Sequence, residues 1–338
     1  MSIEIAIILL LLGFVGLVKG ADWFVDGAAG IAKKLHVPQL IIGLTIVSFG
    51  TSAPELATSI ISAAQGSSDI AVGNIVGSNI TNILLILGLA SVICPLVVQK
   101  STLTIDFPVL IGSSVLLLLL GAFDNQLGRL DGWLMFLLSL AYMVFLVWYA
   151  IRESKKGNTV SELSEHEVVN EESEGEPKGA FAAWFETMKE KTWFLCVLTL
   201  VGLALVVVGA LYGVIPGATA IAEKMGVSEK IIGLTIVAIG TSLPELVTCV
   251  IAAKKGETDI AVGDIVGSNV FNILRTLGLS ALILPLPFQP SFVVDGLIAL
   301  AAVLLLAGMG YMKGNKVRRW GGVVMLLGFV AYYVYLFI

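Results

Sequence analysis

The chain has 338 residues, 57% of them hydrophobic and only 13% charged, with a formal net charge of -5. Soluble domains carry about 25% charged residues, so an ordinary soluble domain is excluded. Three isolated cysteines (Cys94, Cys196, Cys249), no CxxC and only two histidines (His36, His166) exclude a disulfide framework and a zinc site.

The apolar residues come in blocks, and about 20 in a row span a bilayer. The first predicted span is 3–27, with Lys19, Asp22 and Asp26 near its end on one helical face, as local pairs or the lining of an entrance. Spans 38–64, 69–95, 104–124 and 130–151 follow. Asp106 opens the fourth, where the helix dipole favours an acid. Residues 152–190 are polar and Glu-rich, a composition that cannot bury a core and predicts a flexible linker. No EF-hand pattern occurs in it. At its end Phe181, Trp184, Phe185 and Met188 share a helical face that suits the membrane interface or the start of the sixth span. The remaining spans are 193–222, 230–253, 258–286, 291–311 and 320–337, with Asp295 opening the ninth as Asp106 opens the fourth. A cleaved signal peptide would give one block near the start, not blocks continuing to the C-terminus.

Loops after odd-numbered spans hold fifteen Lys and Arg, and loops after even-numbered spans hold three. The positive-inside rule then puts both termini outside and the long acidic loop in the cytoplasm. The expected fold is an all-α integral membrane protein of ten transmembrane helices in two five-helix repeats. Residues 1–151 form the first repeat, 152–190 the cytoplasmic loop and 191–338 the second repeat.

The repeat is visible directly. Residues 41–90 match residues 231–280 at a constant offset of 190, with 33 identities in 50 positions. An odd number of spans per half inserts the second copy upside down. That is the inverted repeat of secondary transporters, which place the substrate at the midplane where the halves meet. A duplication kept for folding alone would keep apolar patterns, and here polar residues are kept.

The first copy reads IIGLTIVSFGTSAPELATS and the second IIGLTIVAIGTSLPELVTC, each with Gly-Thr-Ser-x-Pro-Glu in mid-span. Glu55 and Glu245 sit where a charge costs about 2.5–3.5 kcal/mol or more, and a bound cation would offset that cost. Pro54 and Pro244 lack an N–H and should free the carbonyls of Gly50 and Gly240 one turn back. Thr51, Ser52, Thr241 and Ser242 add hydroxyls at the same break. Such hard oxygens suit Na⁺ and Ca²⁺, the latter taking about 6–8 of them. A proline kink satisfied by hydroxyls explains the Thr, Ser and Pro, but not two mid-membrane glutamates. The next span in each half, AVGNIVGSNITNILLILG and AVGDIVGSNVFNILRTLG, carries a GxxxG for close helix approach. Ser78 and Asn82 share one helical face, as do Ser268 and Asn272, and these four are predicted to line the ion path. Asn79 and Asn269 point about 100° away and are read as helix braces.

GTSxPE followed by GSNxxN, in two copies, resembles the alpha repeats of the sodium/calcium exchanger branch of the cation/Ca²⁺ antiporter superfamily. The likeness covers both repeats and the ten-span layout. It implies a midplane cluster of Na⁺ and Ca²⁺ sites. In that cluster Glu55 and Glu245 would be central, Thr51, Thr241, Ser78 and Ser268 flanking, and Asn82 and Asn272 completing the middle. It also implies ion-binding backbone carbonyls at Ser48 and Ala238, and movement of the first and sixth spans against the core. Potassium-dependent relatives, and some microbial potassium-independent ones, carry Asp at the position of Asn272, and proton/calcium relatives usually show a GN-x-x-E-type motif. Both departures favour exchange of Na⁺ for Ca²⁺ without K⁺. Asp264 (counterpart of Asn74) and Arg275 (counterpart of Leu85) mark the second copy alone and are candidates for a role at the ion mouth or in tuning; Arg275 is expected to snorkel or to pair with a carboxylate.

The function expected is secondary antiport of Na⁺ and Ca²⁺ across the cell membrane, electrogenic and working as a single chain. The partners are the lipid bilayer and inorganic cations, with no nucleic acid, no cofactor and no catalytic residue. The rivals are a proton/calcium exchanger and a cation channel.

Overall fold

A computed structural model describes residues 2–35, 37–64, 66, 68–156, 188, 191–225 and 238–337. His36, nearly all of the acidic linker and its aromatic end, and the first part of the expected seventh span lie outside the described residues.

The described residues are helical almost throughout, because a backbone in lipid must satisfy its own N–H and C=O groups. In chain order the helices are α1 (Ile3–Leu35), α2 (Gln39–Thr51), α3 (Ala53–Ala64), α4 (Ser68–Ile93), α5 (Thr102–Asp124) and α6 (Arg129–Lys156). They continue as α7 (Thr192–Ala218, helical on to Lys224), α8 (Ala238–Thr241), α9 (Leu243–Lys254), α10 (Thr258–Ile283), α11 (Pro290–Gly310) and α12 (Arg319–Phe337). Among the described residues, 8 helices are long and apolar enough to cross a membrane, and α2 with α3 makes a ninth span bent by 45°.

Several boundaries differ from the sequence reading. The first span does not stop near residue 27: α1 runs on to Leu35, since nothing in Gly27–Leu35 breaks a helix. Residues 152–156, expected in the linker, continue α6. Asp106 does not stand in the first turn, because the helix already begins at Lys100. It closes a π-wound turn, Thr102–Asp106, is buried, and accepts a hydrogen bond from the Tyr142 hydroxyl of α6 at 3.0 Å. Asp295 is held likewise by Tyr332 of α12.

Burial sorts the helices. In α4 and α10, 78% and 83% of the spanning window is buried, against 22–39% in the other six, so these two form the centre of the bundle. One large apolar core surrounds them, and a small separate cluster of Leu17, Ala21, Val206, Ala210 and Val214 joins α1 to α7. Those two helices touch backbone to backbone. A Cβ added at Gly202 would lie 2.5 Å from the Phe24 amide nitrogen, and one at Gly209 2.8 Å from the Gly13 carbonyl.

Two short antiparallel pairings tie the halves together. Strand β1 (Leu96–Val97) pairs with β4 (Lys316–Val317), and β2 (Gln126–Leu127) with β3 (Leu286–Pro287). Asn125 and Asn315, 190 apart, turn the chain into β2 and β4 with φ of 59° and 47°. Gly66 and Gly256, also 190 apart, have φ of 80° and 78° at the turns into α4 and α10, a conformation open to glycine.

Candidate cation site

The site begins with a break in a helix. Ser52, between α2 and α3, has φ −81° and ψ 8°; Ser242, between α8 and α9, has φ −88° and ψ 7°. Each break falls two residues before a proline, so Pro54 and Pro244 stand in the first turn of the next helix, where a missing N–H costs nothing. Glu55 and Glu245 follow in that same first turn, at the helix end whose dipole favours a carboxylate.

The two breaks face one another. Ser52 Oγ donates to Glu245 Oε1 at 2.9 Å, and Ser242 Oγ donates to Glu55 Oε1 at 3.1 Å. A Ser-x-x-Glu sequence usually caps its own helix; here each serine serves the other copy's glutamate. Glu55 and Glu245 are 1% and 0% exposed, and the second oxygen of each, Oε2, has no hydrogen-bond partner.

The asparagines of α4 and α10 complete the same arrangement. Asn79 and Asn269 each donate to the other's backbone carbonyl, at 3.3 and 3.2 Å. Their side-chain oxygens accept from Asn82 Nδ2 at 2.9 Å and from Asn272 Nδ2 at 3.2 Å, respectively Asn269 Oδ1 and Asn79 Oδ1. Asn79 and Asn269 are thus braces that orient Asn82 and Asn272. The orientation leaves Asn82 Oδ1 and Asn272 Oδ1 buried without a partner. Both asparagines open π-wound turns, Asn82–Leu87 and Asn272–Leu277, a winding common at functional sites.

The cluster therefore presents four buried, unpartnered oxygens, one pair from glutamates and one from amides. A buried acceptor left unmade costs about 1–3 kcal/mol, so this arrangement calls for a ligand with positive charge.

The hydroxyls surround it. Ser78 Oγ lies 3.4 Å from Ser242 Oγ, and Thr241 Oγ1 lies 3.5 Å from Asn74 Oδ1. Thr51 donates to Asp264 Oδ1 at 3.0 Å, and Ser268 Oγ is 3.5 Å from the same atom. The Ser48 hydroxyl ties α2 to α10, at 2.6 Å from its own Gly43 carbonyl and 2.9 Å from that of Asp264, while its carbonyl accepts from the Ser52 N–H. In the second copy the Ser242 N–H bonds the Ile239 carbonyl.

Four residues have partners that the sequence did not suggest. Asp264 is buried, and Thr248, which sequence reasoning passed over, donates to its second oxygen at 2.9 Å. Arg275 lies over the rings of Phe49 and Phe271, at 5.2 and 5.1 Å from their centroids, and has no carboxylate partner among the described residues. Asp22 and Asp26 hold Lys255, at the end of α9, at 2.6 and 2.5 Å.

Spans of lipid length enclosing a central cluster of hard oxygen donors define a membrane transporter of cations. Residues 5–148 and 194–338 match the sodium/calcium exchanger protein family, and the chain belongs to that family. Similar proteins include "Sodium/calcium exchanger MaX1" of Methanosarcina acetivorans, 37% identical over 99% of both chains. Another is "Inner membrane protein YrbG" of Escherichia coli, 35% identical over 98% of this chain and 97% of its own. Among solved structures, the sodium-calcium exchanger NCX_Mj superposes with a TM-score of 0.80 at 29% identity, covering 98% of this chain and 99% of that one. Members of the family are antiporters handling Na⁺ and Ca²⁺, not enzymes.

Proposed function

We propose that the protein exchanges Na⁺ for Ca²⁺ at a single midplane site, electrogenically and without K⁺. The observation that carries this reading is the set of four unpartnered buried oxygens, Glu55 Oε2, Glu245 Oε2, Asn82 Oδ1 and Asn272 Oδ1. Glu55 and Glu245 act as the central ligands. Thr51, Ser52, Ser78, Thr241, Ser242 and Ser268 supply hydroxyls, and the Ser48 and Ala238 carbonyls serve the flanking Na⁺ positions. One Ca²⁺ balances the two glutamates; several Na⁺ do the same; the two cannot be held together. Mutual exclusion couples the fluxes, and an empty, negatively charged site is costly to move, which suppresses leak. Three Na⁺ against one Ca²⁺ leave one net charge, worth about 2.3 kcal/mol per 100 mV.

The architecture proposed is ten spans in two inverted halves of five, with both termini outside, the acidic loop cytoplasmic and the single chain as the working unit. Support comes from parity. Strand β1 follows the third span and β4 precedes the tenth; β2 follows the fourth and β3 precedes the ninth. Each pairing then joins loops on one side of the membrane, and the two pairings are exchanged by the offset of 190. The pairs Gln99–Asp259, at 2.5 Å, and Gln289–Asp69, at 2.8 Å, obey the same exchange. The glycine seam between α1 and α7, with its own small apolar cluster, favours these two helices as the moving unit.

The test is ⁴⁵Ca²⁺ uptake into proteoliposomes loaded with Na⁺ at clamped pH, with and without K⁺. Uptake driven by the Na⁺ gradient and indifferent to K⁺ is expected. Uptake that needs a pH gradient instead would establish proton/calcium exchange, and ion current without counter-ion movement would establish a channel.

A further inference from the structure

Three positions beside the cation site break the likeness of the two copies together. Phe49, Phe271 and Arg275 stand where the offset of 190 puts Ile239, Thr81 and Leu85. The fold brings these three side chains to one place. The Arg275 guanidinium lies over the ring of Phe49, from α2, at 5.2 Å, and over that of Phe271, one turn back on its own α10, at 5.1 Å. Phe271 is buried, so its ring is a rigid seat. A ring face attracts a cation, and the equivalent positions of the other half offer no ring.

Arg275 is not a residue of the membrane boundary. Eight residues of helix, about 12 Å of rise, separate it from the end of α10 at Ile283. It has no carboxylate partner among the described residues. A charge at such depth is costly and marks a functional position by default. Its surroundings say which function. Arg275 belongs to the π-wound turn that Asn272 opens, and Asn272 Oδ1 is one of the four unpartnered oxygens. Phe49 stands between Ser48 and Gly50, in the turn of α2 that leads to Thr51 and Ser52. Both elements that seat the guanidinium therefore carry proposed ligands. One helical turn on each puts the positive charge on the order of 10 Å from the cation.

We propose that Arg275 is a selectivity residue of the cation site: a fixed positive charge, seated on Phe49 and Phe271, that weakens the hold on a divalent ion more than on a monovalent one. The inference rests on the Na⁺/Ca²⁺ exchange proposed above and deepens it. Repulsion scales with the charge of the ion, so the factor by which Arg275 weakens one Na⁺ is squared for Ca²⁺. At about 10 Å and an effective dielectric of about 20 that factor is about tenfold, and screening of a partly exposed group brings it to about fivefold. Two glutamates alone would favour the divalent ion; Arg275 keeps Ca²⁺ exchangeable against Na⁺.

The test is equilibrium binding of ²²Na⁺ and of ⁴⁵Ca²⁺, each alone, to the full-length purified protein. Arg275→Leu gives the second copy the residue the first already has. It should lower the half-saturating Na⁺ concentration about fivefold and the half-saturating Ca²⁺ concentration about 25-fold. Arg275→Lys keeps the charge without the planar fork and should hold the ratio of the two concentrations close to the natural one. A purely structural role would weaken both ions, or shift both by one factor, and lower the unfolding temperature. No gain in Ca²⁺ affinity in Arg275→Leu, an equal gain for both ions, or a lysine variant that behaves as the leucine one does, overturns the inference. Should Arg275→Leu fail to fold, Arg275→Gln, neutral and polar, is read by the same ratio. No saturable binding of either ion by the natural protein would overturn the exchange reading too; Na⁺-driven ⁴⁵Ca²⁺ uptake with an unchanged ratio would overturn only this one.

Discussion

A carboxylate with one oxygen held and the other bare is the unit from which the site is built. Glu55 and Glu245 each have Oε1 fixed by a serine from the opposite copy and Oε2 left over. Glutamine at either position keeps an acceptor for the serine and puts an amide or a neutral oxygen where the cation needs charge. Glu55→Gln and Glu245→Gln should each lower ⁴⁵Ca²⁺ uptake at least about a hundredfold, or about 2.7 kcal/mol, with little change in the unfolding temperature. Uptake near the natural rate in either variant would remove the glutamates from the site. The brace is a separate matter. Asn269→Ala strands the side chain of Asn82 and the carbonyl of Asn79. It should cost about 1–3 kcal/mol of stability and weaken Ca²⁺ binding as well, measured by thermal unfolding with and without Ca²⁺. At this scale the sequence was informative where a polar residue interrupts an apolar run, which exposed the glutamates, hydroxyls and paired asparagines. It was silent where a residue's meaning depends on a partner about 190 positions away. Nothing local says that Ser52 serves Glu245 and not its own helix, or that Thr51 reaches Asp264.

Elements differ in what binds them to one another. The contact of α1 with α7 is close because glycines let the backbones meet: a Cβ at Gly202 would stand 2.5 Å from the Phe24 nitrogen and 2.7 Å from the Gly20 carbonyl. Such a seam has few interlocking side chains, which suits sliding. Gly202→Val must push the helices apart, at a cost of about 1–3 kcal/mol, and should slow Na⁺-driven uptake strongly. Lys255 ties α1 to the turn after α9 through Asp22 and Asp26, but all three side chains are partly exposed. An ion pair of that kind contributes less than about 1 kcal/mol, so Lys255→Gln should scarcely move the unfolding temperature. Thermal unfolding of the two variants side by side checks both statements; a larger loss in Lys255→Gln would show that the ion pair, not the seam, holds α1. That the chain is helical and crosses a membrane many times was readable from hydropathy. The 45° bend at Ser52, the π-wound turns at Asn82 and Asn272 and the reach of α1 to Leu35 were not, because they follow from packing and not from composition.

For the whole molecule, the duplication at an offset of 190 accounts for several observations at once. Left-handed residues recur at 66 and 256 and at 125 and 315, the strand pairings exchange under the same offset, and the site draws equivalent side chains from both copies. The orientation proposed has a direct check by cysteine labelling with a membrane-impermeant maleimide. Ser2→Cys should react from outside intact cells, and Ser164→Cys, in the acidic loop, only after the membrane is opened. The reverse pattern would invert the topology. The exchange mechanism makes one demand above all: both ions must compete for the same oxygens. Equilibrium ²²Na⁺ binding to the purified protein, titrated with Ca²⁺, measures this most directly. Complete displacement of Na⁺ by Ca²⁺, lost in Glu245→Gln, is the expected result. Na⁺ that stays bound at saturating Ca²⁺ would contradict a single, mutually exclusive site.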